Sequence, residues 1–592
     1  MDRIRVNKNL TGGIELYRKG LYQDSLTLLY SIHNIAPKEP NALFFIALNH
    51  RYLKDVTASI FYFEKLISLH KLPGYFCAYA NMLISFGLEL RAIPLLRQSI
   101  SIDPFHFDSY YNLGRAEQNL ELYSEACNAY VKARKLNPLH IGCCIGYSQS
   151  LSKCNQVEQA IACCESFLKE TSTSFEVLYT LAGFYEHLDL LDSALTTTCM
   201  CLKLVPESRE SRLRYAILLH KLGSDEEAIA VFKELLATFP YDLKVHHELF
   251  KILWLKAEAE PFKYYLEFSR QDPSNPLVLD LVKKLIKNDE LELALEKIKI
   301  YIYEKKATSE ALIIKAHLER ELGFFRLSLE TLESLSVESK DTECALYEKA
   351  ITYLCLQQFL EAICLARRMI SLYPKNQAGK ALLSSCLKVA GHEVEYRQLN
   401  DYDNLVKYIP VFEDEKDHFN SQLKSSLERL HKTNNAPLDQ SLRYGTQTEG
   451  RLFNKGVTTV DELEKRVALV ISDFLEGLSQ HHFTEYSGSF KITDSWSVIL
   501  RSKGYHKNHY HSEGMYSACY YVDVPFAVEK EGQGWLKLGQ PELSRWIKLD
   551  ADFYLKPLTG WLVIFPSYLW HGTTPLLESS ERISVAFDIQ VL

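Results

Sequence analysis

At 592 residues the chain is too long for a single hydrophobic core, so a repeat array or several domains are expected. Its 47% hydrophobic and 24% charged residues are those of an ordinary soluble protein and exclude a disordered or collagen-like one. The net charge of −8, with no dense Lys/Arg stretch carrying interleaved aromatics, argues against nucleic acid as partner, and the lack of any long uncharged apolar run argues against a membrane span and for a cytoplasmic protein.

The first four hundred or so residues are periodic. Small residues recur at Ser25, Ala58, Ala92, Ala126, Ala160, Ala194, Ala228, Ala294, Ser328 and Ala362, with gaps of 33 or 34 residues and one double step of 66 centred near Phe262. Prolines run in phase, about 12 residues further on, at Pro37, Pro104, Pro138, Pro206, Pro240, Pro273 and Pro374. Each unit reads as two amphipathic helices. In the unit from Phe107 to Pro138, Tyr110, Leu113 and Gly114 share one helix face, and Tyr123, Ala126 and Tyr130 share the next. The small residue belongs where two helices cross closely, and proline stops the second helix. Pro261 stands where a small crossing residue belongs, so a bend or break is expected there. The fourteen cysteines sit singly or as neighbours such as Cys143–Cys144, with no C-x-x-C spacing, and read as small buried hydrophobes in a reducing compartment.

This pattern resembles the tetratricopeptide repeat over residues 10–395, in roughly eleven units. Asn112-Leu113-Gly114 and Ala182-Gly183-Phe184-Tyr185 match its first-helix signature best. The resemblance implies an all-α solenoid whose concave surface binds a protein or peptide segment.

From about His392 the period is lost. Residues 396–440 form a bridge with an acidic stretch (Asp401–Glu415), a helical stripe of Phe419, Leu423, Leu427 and Leu430 read as a docking helix, and a polar loop, HKTNNAP. Thr459-Val-Asp-Glu462 reads as a capping box opening a helix to about Leu478, with Leu463, Val467, Val470 and Phe474 buried. After Phe483 the pattern becomes period two. Trp496, Val498 and Leu500 alternate, then Ala518, Tyr520 and Val522, and Gly560–Ser567 and Ile583–Ile589 read as further strands, a compact barrel or sandwich within residues 441–592.

Three histidines stand out in this β-rich region. His509 and His511 project to one face if their segment is extended, and His571 follows a distant strand. Such a set can hold a divalent iron on one side and leave the other open for a bidentate cosubstrate and dioxygen. Arg582 can pair bidentately with the far carboxylate of a dicarboxylate, and Ser584, on the same strand face, can add a hydrogen bond.

HYHSEGMYSACYYVDVP, FPSYLWHGTTP, ERISVAFDI and the upstream TQTEGRLF together resemble the 2-oxoglutarate/Fe(II)-dependent oxygenase domains that follow tetratricopeptide repeats in some bacterial proteins. Three positions depart from that pattern, Ser512 in place of proline, Met515 in place of tryptophan and Ala518 in place of glycine. The resemblance implies a double-stranded β-helix (jelly roll) at 441–592, Fe(II) on His509, His511 and His571, and 2-oxoglutarate on Arg582 and Ser584. It implies hydroxylation of a C–H bond coupled to decarboxylation of 2-oxoglutarate to succinate, on a protein substrate recruited by the repeats. A second ligand frame, His511 with Glu513, stays open; His506 reads as a surface residue, and one of Tyr520 and Tyr521 as a candidate for the pocket wall. Two other readings remain at this level: a repeat scaffold with a degenerate oxygenase-like domain, and a cupin-like three-histidine metalloenzyme that does without 2-oxoglutarate.

Overall fold

The structure is a computed structural model and describes residues 2–171, 173–305, 307–412, 416–431, 440–448, 450–478, 489–530 and 532–591. The chain divides into two compact units, Met1–Leu235 and Leu236–Leu592.

The first unit is a run of helical hairpins in which each helix packs on its sequence neighbours. The pair Phe107–Asn119 and Tyr123–Leu136 shows why. Ala126 and Ala133 are fully buried at the crossing, and the Tyr130 ring lies between Gly114 and Gly146, where an added Cβ would come within 2.8 and 2.5 Å of it. Only glycine admits the ring at that distance, and the Tyr130 hydroxyl is then satisfied by Gln118 Oε1 at 2.8 Å. In the second hairpin the small crossing residue is Ser59 rather than Ala58. Ser59 is fully buried and its hydroxyl donates to the Ala47 carbonyl, as Ser25 does to Gly13, whereas Ala58 is partly exposed.

A second period emerges in the backbone. Gly20, Lys54, Gly87, Glu121, Asn155, Asp189 and Gly223, and in the second unit Ala257, Asp289, Gly323, Gln357 and Gly391, all have positive φ. Each sits in the tight turn inside a hairpin, where a left-handed residue ends the first helix. The turn at Ala257 keeps the repeat in phase through the irregular stretch near Phe262; the departure there is a second helix shortened to nine residues, Lys263–Gln271, which starts only after Pro261. Among the described residues no helix is long and apolar enough to cross a membrane, and the fourteen cysteines are free thiols.

In the second unit the hairpins continue to Glu393–Leu399, and antiparallel strands follow. The strands are β1 (Lys407–Pro410), β2 (Leu442–Gln447), β3 (Phe490–His506), β4 (Tyr516–Asp523), β5 (Leu536–Leu538), β6 (Phe553–Leu555), β7 (Trp561–Pro566), β8 (His571–Thr573) and β9 (Arg582–Val591). They form a six-stranded sheet in the order β1-β7-β4-β9-β3-β2 and a three-stranded sheet in the order β6-β5-β8.

One face of the larger sheet is apolar. Tyr516, Tyr520 and Val522 of β4, Ile564 of β7, and Ile583, Val585 and Ile589 of β9 pack on two helices, Lys416–Glu428 and Thr458–Leu478. The docking helix buries Leu423 and Leu427 fully, with Phe419 and Leu430 at its margin. The second helix buries Leu463, Val467 and Phe474 as expected, but Ile471 takes the deep position and Val470 is only partly covered. Its capping box does not form: the helix starts at Thr458, and the buried Thr459 hydroxyl has no partner. The end of the acidic stretch (413–415), most of HKTNNAP (432–437), position 449 of TQTEGRLF and the onset of the β pattern at Phe483 lie outside the described residues.

Helices of the second unit also hold the loop Gly539–Asp552. Arg320, 1% exposed, pairs with Glu348 (2.7 Å) and Glu321 (2.5 Å) and donates to the Leu543 carbonyl at 3.0 Å. Lys388 reaches the Gly539 and Asp550 carbonyls and Asp552 Oδ1 at 2.6–2.7 Å. Trp570, just before His571, donates its indole N–H to Ser385 at 3.0 Å. The chain around His571 is therefore braced by a rigid helical wall.

Candidate metal centre and its cavity

The second face of the large sheet lines a cavity of about 370 Å³. Period two decides which side chains reach it: Arg582, Ser584, Ala586 and Asp588 from β9, Ser517, Cys519 and Tyr521 from β4, and Trp496 and Val498 from β3. A bulge between Ile492 and Asp494 sets the frame of β3, so that Asp494 also faces the cavity. Of the two adjacent tyrosines, Tyr521 lines the wall, while Tyr520 points to the other face and donates to Asn420 Oδ1 at 2.7 Å.

His509, His511 and His571 meet at one side of this cavity, and one ligand nitrogen of each lies within 4.8 Å of the other two. The backbone fixes them. His509 and His571 exchange both main-chain hydrogen bonds (2.9 and 2.8 Å), and His511 N donates to the Ser567 carbonyl at 3.0 Å. Tyr510 points the opposite way and packs on Trp570. The strand position after His571 needs glycine, because a Cβ at Gly572 would meet Asn508 Oδ1 at 2.5 Å and the His506 carbonyl at 2.9 Å.

Each imidazole spends its Nδ1 on an acceptor. His509 Nδ1 bonds the Lys507 carbonyl (2.8 Å), His571 Nδ1 the Leu569 carbonyl (2.9 Å), and His511 Nδ1 the Asp588 Oδ1 (2.6 Å). A proton on Nδ1 in each case leaves the Nε2 lone pair free, which is how metal-ligating histidines are set up. Burial, with the neighbouring His511 adding to it, pushes the His509 imidazole down to about 4, and burial holds His571 well below its ordinary range. Both are neutral at physiological pH, the form that binds metal. Glu513 is exposed and does not line the cavity, so the cluster is made of imidazoles without a carboxylate. His506 is not a surface residue: it is partly buried, lines the cavity, and bonds Ser441 Oγ through Nδ1 at 2.9 Å.

Arg582 lies in the same cavity, 2% exposed. Its Nη1 donates to the Gly534 carbonyl, the guanidinium lies 5.5 Å from the centre of the Tyr521 ring, and its Nε has no partner. Among the described residues it makes no ion pair with a carboxylate. A buried guanidinium with an orphaned N–H is costly alone and is matched by a bound carboxylate. Ser584, 3% exposed, is two residues further along the same face. The residues thus fit both groups the sequence pointed to: a cation-binding set of three imidazoles, and an anion seat for the distal end of a dicarboxylate.

Asp588, Ser517, Ser567 and Trp496 were not singled out as site residues by sequence reasoning. Counting by twos from Arg582 and Ser584 along β9 reaches Asp588 and was the available signal; nothing in the sequence places Ser517 and Ser567 2.9 Å apart.

A buried neutral histidine also makes the apo domain acid-sensitive. His431 is bonded to Thr446 Oγ1 (2.8 Å) and Ser497 Oγ (3.1 Å), and burial followed by the charge of Arg501 pushes it down to about 4. The unfolded chain takes up a proton near the ordinary 6.5 while the folded one refuses it. Stability is therefore present above that value and is lost as pH falls toward about 4. The thermal midpoint of the apo protein should drop over this window. His431→Gln should flatten the slope by up to about 3 kcal/mol of pH-dependent stability.

Comparison with known proteins gives matches to separate segments of the chain. Residues 494–588 match the model of a family described as "Putative 2OG-Fe(II) oxygenase", and residues 107–138 and 210–240 match models described as "Tetratricopeptide repeat". Among solved structures, PilF of Pseudomonas aeruginosa is 14% identical, with 37% of this chain and 98% of that chain covered and a TM-score of 0.32. YrrB, a TPR protein with an unusual peptide-binding site, is 18% identical, covering 31% and 96% of the two chains with a TM-score of 0.28. PilW, a type IV pilus biogenesis factor, is 14% identical, covering 35% and 96% with a TM-score of 0.32. No curated protein is similar enough to match. The chain thus carries segments that match tetratricopeptide repeats and, at residues 494–588, a segment that matches the "Putative 2OG-Fe(II) oxygenase" family.

Proposed function

We propose that the protein is an Fe(II)- and 2-oxoglutarate-dependent oxygenase that hydroxylates a protein or peptide segment presented by its repeats. The observation that carries this reading is the shared polarity of the three histidines: each Nδ1 is bonded to an acceptor, so that three Nε2 lone pairs are left for one ion. His509, His511 and His571 would hold the iron, and Arg582 with Ser584 would seat the distal carboxylate of 2-oxoglutarate. When bound, iron and 2-oxoglutarate would activate dioxygen, the oxidant, one of whose oxygen atoms ends in succinate as 2-oxoglutarate loses CO2 while the other is inserted into a C–H bond.

The chain's own residues bind and orient. Arg582 fixes one end of the cosubstrate so that its other end reaches the histidines, and Tyr521 and Leu536 give that end an apolar wall. The burial of Arg582 strengthens charge pairing there. The two antiparallel sheets support the reading of residues 441–592 as a double-stranded β-helix, preceded by a repeat array at 10–395 and a bridge at 396–440. In the second unit a cleft of about 530 Å³ is lined by Lys283, Lys284, Ile314 and Tyr347 from the helices and by Tyr510, the residue between two of the histidines. A peptide lying in this cleft would touch the segment that carries the metal ligands.

The test is to load the protein with Fe(II) without oxygen, add 2-oxoglutarate, and record the visible metal-to-ligand charge-transfer band. A band that saturates with 2-oxoglutarate is expected. Iron binding with no band at any 2-oxoglutarate concentration would favour a metalloenzyme of another kind, and no iron retained would favour a binding scaffold.

A further inference from the structure

Of the three acceptors behind the histidines, two are backbone carbonyls and one, Asp588, is charged. Its side chain is 15% exposed and is built in on several sides. Oδ1 accepts from His511 Nδ1 at 2.6 Å and from Ser517 Oγ at 2.9 Å, and Ser517 is bonded to Ser567 Oγ, whose own carbonyl receives His511 N. A Cβ at Gly514 would stand 3.2 Å from Asp588 Cβ, so the loop leaves little room for the carboxylate to turn away.

Among the described residues Asp588 makes no ion pair with Lys or Arg. In the register of β3 and β9 it stands directly opposite Asp494, another carboxylate facing the cavity. Like charges directly across a sheet are destabilising. As imidazole ligands, the three histidines beside it would add no negative charge of their own to offset that of a divalent ion.

We propose that Asp588 is a positioning residue for the metal, supplying from one hydrogen bond away the negative charge that a carboxylate ligand gives directly in a two-histidine, one-carboxylate iron site. The proposal rests on the reading of the three histidines as a metal site. Through the short bond to Nδ1 the carboxylate fixes the His511 ring and tautomer and makes its Nε2 a stronger donor. A bound dication would lie beside both Asp588 and Asp494, which face each other across β3 and β9.

Two effects of opposite sign follow for Asp588→Asn, which keeps an acceptor of the same shape and removes the charge. Titrated anaerobically with Co(II) and followed by its visible d–d absorption, the variant is expected to bind ten- to a hundredfold more weakly than the unaltered protein, with shifted bands. Its metal-free melting temperature is expected to be equal or higher. Equal Co(II) affinity (within about twofold) and an identical spectrum would overturn the proposal. So would a fall in metal-free melting temperature large enough to account for the weaker binding, since that marks a purely structural role. Failure of the unaltered protein to bind Co(II) would instead overturn the metal-site reading, and this inference with it. Should Asp588→Asn not fold, Ser517→Ala serves as the second variant: it keeps the charge and removes one of its holders, and a severalfold loss of Co(II) affinity is expected, with no loss counting against the proposal.

Discussion

Replacing Arg582 by methionine is expected to weaken 2-oxoglutarate binding to the Fe(II) protein by at least about a hundredfold while leaving the metal-free protein no less stable. The two halves have one cause. The guanidinium is 2% exposed and, among the described residues, has the Gly534 carbonyl and the Tyr521 face as partners and an Nε with none. Without a ligand it carries a desolvation cost that no carboxylate among the described residues offsets. An apolar side chain of similar length removes that cost, whereas in the complex it leaves the cosubstrate's carboxylate buried and unpaired, a loss of about 3–5 kcal/mol. Arg582→Lys is expected to recover only part of the affinity, because an ammonium cannot form two parallel hydrogen bonds. Titration of the charge-transfer band, with melting curves of the metal-free proteins, checks both halves. Unchanged 2-oxoglutarate affinity in Arg582→Met would remove this residue from the site.

Loss of one of the three histidines should be the most damaging change to metal binding. His571→Ala removes a ligand whose backbone is held by two main-chain bonds to His509 and whose Nδ1 is held by the Leu569 carbonyl. Affinity for Fe(II) or Co(II) is expected to fall by two orders of magnitude or more, on the order of 3 kcal/mol. His506→Ala and Glu513→Gln are the controls. His506 lines the same cavity but its Nδ1 is tied to Ser441 and it lies outside the group of three, while Glu513 is exposed away from the cavity. Each should hold metal to within about tenfold of the unaltered protein, roughly 1.4 kcal/mol. If Glu513→Gln instead lost the metal as His571→Ala does, the frame of His511 with Glu513 would replace the three-histidine one.

Much of the fold was legible because it follows from local spacing. A small residue every 33 or 34 positions, with proline behind it, can be satisfied only by helices crossing at a constant interval, so the hairpins followed from residues such as Ala126 and Ala160. Errors arose where two small residues were adjacent: Ala58 and Ser59 are equivalent in pattern, and only packing shows that the Ser59 hydroxyl meets the Ala47 carbonyl. The left-handed turn in each hairpin escaped notice because Lys54, Glu121, Ala257 and Gln357 occupy it as well as glycine. Helix packing on both sides outweighs the modest cost of positive φ there, so no residue type marks the position. The Thr459 capping box did not form because the helix starts two residues earlier than that cap requires, with Val460 already buried in the core.

The sequence by itself determined the repeat interval, the switch to period two, and the residue types of the site, because helix and strand periodicities and donor chemistry are properties of short segments. Tertiary structure alone decided which of these residues meet. His509 and His571 are brought together by a β-bridge across sixty-two positions of chain, and Asp588 reaches His511 across seventy-seven. The bulge before Asp494 chose which half of β3 faces the cavity, and the helical wall at Ser385 and Arg320 held His571 and its loop in place. Contacts at such separations depend on the closure of the whole sheet and on the packing of distant helices, and no local pattern encodes them.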